Sequence, residues 1–95
     1  MNRVQLSAAA WRTPRDAHDA LARALAFPDY YGHNLDALHD CLTDLDDTSL
    51  VIEDCAQAAA QLEQWPIFVQ VFFDSAAQNP RLSIRLLPGN GDYGK

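Results

Sequence analysis

Between Ala24 and Pro80 the chain has no lysine and no arginine. All seven basic side chains lie at or before Arg23 or at or after Arg81. The same middle stretch holds ten acids: Asp29, Asp36, Asp40, Asp44, Asp46, Asp47, Glu53, Asp54, Glu63 and Asp74. With histidine neutral it carries about −10, against −6 for the whole chain. A sustained field of one sign repels phosphate backbones, which excludes direct binding of DNA or RNA. It also speeds encounter with a basic partner, by roughly 10–10³ in on-rate at low salt. Solubility alone is the plainer reading of an acidic protein, but the purity of sign here points to a basic partner.

Other shortages narrow the class further. Cys41 and Cys55 are the only cysteines. Two are too few for a disulfide framework, and in a reducing compartment both are expected as thiols. No run approaches the roughly 18 apolar residues of a membrane span. Met1 to Gln5 lack the apolar core of a signal peptide, so a cytoplasmic protein is expected. His18, His33, His39 and the cysteines show no zinc-ligand spacing. Asp44-x-Asp46-Asp47 opens like a calcium loop, but Ser49 and Cys55 stand where glycine and a bidentate glutamate are needed. Neither metal nor cofactor is expected.

What is present makes one domain. Ninety-five residues with an ordinary apolar fraction can bury a core. Arg3 to Leu6 read as a short strand with Val4 and Leu6 on one face. Thr13-Pro14-Arg15-Asp16 is a helix start, with a threonine cap, proline in the first turn and an acid able to reach back. Ala17, Leu21, Ala24 and Leu25 form that helix's apolar stripe, and Pro28 is expected to stop it. Asp44 to Ser49 read as a loop and Leu50 to Glu53 as a buried strand. Cys55 to Gln64 is an alanine-rich helix. A further helix from Pro66 carries Ile67, Val69, Phe72, Phe73 and Ala76 to about Asn79. Leu82 to Leu87 alternate as a third strand. The domain is expected over residues 1–88, with residues 89–95 a flexible tail. Strands separated by helix pairs require crossovers, hence an α/β fold: a small three-stranded parallel sheet, β-α-α-β-α-α-β, with helices packed on it.

The most informative stretch is Pro28 to Thr43, P-D-Y-Y-G-H-N-L-D-A-L-H-D-C-L-T. Asn34 can cap a helix. Leu35, Leu38, Cys41 and Leu42 repeat at helical spacing and form its buried stripe. Asp36, His39, Asp40 and Thr43 fall on the opposite face. Tyr30, Tyr31 and Asn34 flank that face with aromatic and amide groups. Core packing is the competing reading for one of the two tyrosines. Asp36 and Asp40 share a face, but exposed helical carboxylates lack the desolvation that tunes an acid/base pair, and no nucleophile has a base placed beside it. An enzyme is therefore not expected. Tyrosines at low entropic cost and carboxylates that accept charge-assisted bonds from arginine suit a protein interface.

This stretch closely resembles the barstar family, intracellular inhibitors of secreted guanyl-preferring ribonucleases. Tyrosine pair, glycine, Asn-Leu-Asp-Ala-Leu and Asp-Cys-Leu-Thr occur in register, and looser likeness runs from about Val4 to Leu87. The family's architecture is the same β-α-α-β-α-α-β sheet. The resemblance implies a monomeric protein that forms a one-to-one complex with a basic ribonuclease. Asp40 would be the principal mimic of substrate phosphate and Asp36 would pair with basic residues at the rim of the cleft. Tyr30 would stack on an active-site histidine, while Tyr31, Gly32, Asn34 and Leu35 shape the loop contact. Asp74 aligns with a family glutamate that pairs with an arginine. His39 stands where the best-known member has tryptophan, and Asp44 to Asp47 replace a loop containing glycine and tryptophan. Both changes lie at the expected contact surface, with Thr43 beside them. An immunity protein against a different basic toxin is the alternative.

Overall fold

The computed structural model describes residues 2–89. The elements run β1 (Asn2–Ser7), α1 (Pro14–Ala24), α2 (Leu35–Thr43), β2 (Thr48–Glu53), α3 (Cys55–Gln61), α4 (Trp65–Gln78) and β3 (Leu82–Leu86). The strands form one parallel sheet in the order β1-β2-β3, so the expected β-α-α-β-α-α-β architecture is the one adopted.

Alternation along the strands decides which face is covered. Leu50 and Ile52 of central β2 are fully buried, and Val4, Leu6, Leu82, Ile84 and Leu86 flank them on the same face. Phe68 and Phe72 of α4, Leu38 and Leu42 of α2, and Ala17 and Leu21 of α1 complete the core. Each buried leucine or phenylalanine contributes about 1.5–3 kcal/mol relative to exposure. The opposite sheet face presents Arg3, Gln5, Ser49, Val51, Ser83 and Arg85 around a shallow open groove.

Local chemistry explains the helix ends. Thr13 Oγ1 accepts from the Asp16 backbone N–H, and the Asp16 carboxylate accepts from the backbone N–H groups of Arg12 and Thr13. Those donors hold the Asp16 carboxyl below its ordinary range. α1 does not run on to Pro28. Ala26 turns left-handed at φ 55°, and the Phe27 N–H bonds back to the Ala22 carbonyl, a Schellman closure made with alanine where glycine is usual.

Other boundaries, and the rotation of one helix, differ from the sequence reading. β2 starts at Thr48, not Leu50, because Thr48 and Ser49 pair with Asn2 and Arg3 on one side and Leu82 and Ser83 on the other. α3 ends at Gln61, where Leu62 turns extended. α4 is apolar on several sides, which leaves its rotation undetermined by periodicity. Packing on α2 and β3 buries Trp65, Phe68, Phe72 and Ser75, leaving Ile67 50% and Phe73 55% exposed. At the C-terminal side, Leu87 and Pro88 carbonyls accept from the Cys55 and Ala56 N–H groups. Of the tail expected from residue 89, residues 90–95 lie outside the described residues.

Candidate functional site

The α1–α2 loop and α2 form one continuous surface. The two adjacent tyrosines separate completely: Tyr30 is 87% exposed and Tyr31 6%. Tyr31 packs its ring 4.9 Å from that of Phe27 and brings its hydroxyl within 2.6 Å of His18 Nδ1 on α1. Burial pushes the Tyr31 phenol well above its ordinary pKa and the His18 imidazole below 6.5, so the hydroxyl donates and neutral Nδ1 accepts. The His18 ring in turn lies 5.1 Å from Phe68 of the core. Of the two tyrosines, only Tyr30 offers a free ring face to a partner. Tyr31 anchors the loop.

Gly32 and Asn34 finish the turn into α2. Asn34 Oδ1 accepts from the Ala37 N–H at 2.8 Å, the expected N-cap, while its Nδ2 donates to the Gly32 carbonyl. A Cβ on Gly32 would stand 2.9 Å from Asn34 Nδ2, so glycine leaves room for the capping amide. Leu38 and Leu42 are fully buried and anchor the helix; Leu35 and Cys41 are half-buried beside them. That phase leaves Asp36 and Asp40 exposed, with His39 and Thr43 half-buried. The Thr43 hydroxyl donates to the His39 and Asp40 carbonyls, so it closes the helix and is already occupied.

Tyr30 and Asp40 meet at a depression of about 300 Å³ between the loop and the C-terminal half of α2. Leu25, Phe27, Cys41 and Leu45 make its apolar lining, and Tyr30, Asp40 and Asp44 supply its polar groups. Sequence reasoning took Asp44 only as part of an acidic loop at the expected contact surface, although its spacing of four from Asp40 places it one helical turn on. Both carboxylates sit toward the negative end of the α2 dipole, and like charges four apart repel by a few tenths of a kcal/mol. Local stability argues against this pair. The Cys41 thiol between them is pushed above its ordinary pKa by burial and then by Asp40 and Asp44, so it is a poor nucleophile.

The turn after α2 is held from a distance. Asn79, at the end of α4, donates from Nδ2 to the Leu42 and Leu45 carbonyls at 3.0 and 2.9 Å, and Arg81 pairs with Asp46 at 3.0 Å. These long-range partners fix the position of Asp44 and were not legible in the local sequence. Asp74 is exposed on α4, the helix packed against α2, and does not line the depression. Asp36 likewise lies outside it, one turn toward the N-terminus. Among the described residues, no group of three or more histidine, cysteine or acidic side chains is placed to hold a metal ion, and no helix is long and apolar enough to cross a membrane.

Comparison with known proteins bears on this surface. A protein of Bacillus subtilis (strain 168) named "Putative ribonuclease inhibitor YrdF" is 60% identical over 35 residues, which span 37% of this chain and 38% of that relative. The family model described as Barstar (barnase inhibitor) matches residues 1–87, every described element included. The chain belongs to the barstar family of barnase inhibitors.

Proposed function

We propose that this protein binds a basic, guanyl-preferring ribonuclease one to one and blocks its active site with the surface built on α2. The observation that carries the reading is the juxtaposition of an almost wholly exposed tyrosine ring with Asp40 at an apolar-lined depression, in a segment without a lysine or arginine. A ribonuclease cleft is built from arginine, lysine and histidine to hold phosphates. Asp40 stands in for the scissile phosphate there, accepting charge-assisted bonds, and Asp36 engages basic groups at the rim. Tyr30 stacks on a ring or guanidinium of the nuclease. Gly32, Asn34 and Leu35 shape the loop, Tyr31 holds it from below, and His39 and Thr43 border the acidic face. Asp74 reaches a basic residue at the periphery. No covalent step is involved, and the protein acts in the cytoplasm of the cell that makes it, as a monomer until it meets its target.

Asp44 favours a second reading. A carboxylate in a loop that replaces one containing glycine and tryptophan, with His39 in place of tryptophan, suits a basic target other than the family's reference nuclease, as in an immunity protein or antitoxin. RNA cleavage by a guanyl-preferring ribonuclease, titrated with the purified protein, separates the two. Complete inhibition at one equivalent is the expected result. Undiminished cleavage at a large excess of protein would reject that nuclease class as the target.

A further inference from the structure

We infer that His33 is the positioning residue of the Tyr30 loop, its protonated ring clamping the loop to α1. For what the loop does, this rests on the ribonuclease-binding reading; for the clamp itself, it does not. His33 Nδ1 lies 3.1 Å from the Tyr31 carbonyl oxygen, and Nε2 lies 2.8 Å from Asp19 Oδ1. Both partners are acceptors. A neutral imidazole donates from one nitrogen only, so the doubly protonated ring is the form that makes both bonds. The backbone of His33 is left-handed, φ 52°, a conformation uncommon outside glycine that histidine, like asparagine and aspartate, adopts more readily than most residues. That turn folds the ring back over the chain, 5.0 Å from the Tyr31 ring and 6.2 Å from the His18 ring.

The result is a two-point attachment. Adjacent α1 residues His18 and Asp19 hold Tyr31 and His33, the residues on either side of Gly32. Tyr30 precedes this pair and Asn34, the α2 cap, follows it. A loop fixed in this way loses less conformational freedom when a partner docks. The charged and titratable groups that face His33 are Asp19, Arg15 and His18 from α1 and Tyr31 from its own loop; α4 contributes the non-ionising Phe68 behind His18. Arg15 Nε stands 3.7 Å from Asp19 Oδ2, which leaves Oδ1 to His33. Raising the pH strips one donor from His33 and releases one of the two contacts. The loop loosens and partner affinity declines.

Imidazole ¹H–¹⁵N spectra and backbone amide shifts of the free full chain, followed from pH 5.5 to 8.5, test the clamp directly. At the acid end both His33 ring nitrogens are expected to carry protons. The Gly32 and Asn34 amides should shift together with the ring, and Asp19→Asn should uncouple them from it. Amides that ignore protonation of the His33 ring, or that follow it unchanged in Asp19→Asn, would overturn the proposal; the wild-type titration decides even where the variant misfolds. A parallel titration with a guanyl-preferring ribonuclease is expected to show affinity falling toward alkaline pH about tenfold more in wild type than in His33→Gln. The same pH dependence in both would overturn the clamp's part in binding. Coupled ring and loop titrations without any ribonuclease binding would uphold the clamp and reject the target instead.

Discussion

Tyr30 and Tyr31 are chemically identical neighbours whose different roles are set by a residue thirteen positions upstream. His18 supplies the acceptor that lets a tyrosine hydroxyl be buried, and only Tyr31 reaches it. From sequence both tyrosines read as contact residues, with core packing of one only the competing reading, because the deciding partner lies on another helix. The same pair carries a pH dependence. Burial, and then the charge of His33, holds the His18 pKa below 6.5 in the folded state, so the unfolded chain binds the extra proton more readily. His18 therefore stabilises the fold fully above about pH 6.5, and that contribution is lost as pH falls from 6.5 through the depressed folded value. Denaturation midpoints between pH 7.5 and 5 are expected to fall, with His18→Gln flattening the decline. An unchanged slope in that variant would assign the pH response elsewhere. Asp40 and Asp36 were legible because their helix phase follows from Leu38 and Leu42. Asp44 was not singled out, since its loop was read for its acidity and not for its distance from Asp40.

At the level of elements, legibility followed the range of the interactions. The Thr13 and Asn34 caps are contacts over three residues, and both form where the local sequence placed them. Strand order followed from connectivity. The start of β2 and the rotation of α4 depend on tertiary partners: strand pairing for Thr48, and packing that selects Phe68 over Ile67. The end of α1 is a local closure through a left-handed Ala26, where no glycine signals it. The C-terminus of α2 is the most instructive case. Its Leu42 and Leu45 carbonyls are satisfied by the buried Asn79 amide, 37 and 34 residues away. Asn79→Ala leaves them without that donor, and an unsatisfied buried polar group costs about 1–3 kcal/mol. Urea denaturation should show a loss of that size with an unchanged slope. Because the same amide fixes the turn that carries Asp44, partner affinity should fall as well; a loss of stability with affinity intact would separate the cap from the site.

For the whole molecule, charge is distributed by sequence position and hence by place. The segment from Ala24 to Pro80, free of lysine and arginine, includes α2, β2, α3 and α4, while Arg3 and Arg85 fall on the open face of the sheet. A segment of one charge sign would orient a basic partner during approach, as the proposed function requires. The measurement closest to the central claim is calorimetric titration of the protein and of Asp40→Ala with a guanyl-preferring ribonuclease at two salt concentrations. Tight one-to-one binding that weakens with salt is the predicted result, with affinity reduced in Asp40→Ala by about 2 kcal/mol or more, roughly thirtyfold in Kd. Binding that is indifferent to both salt and Asp40 would contradict phosphate mimicry by the α2 face, and absence of binding would contradict the choice of partner.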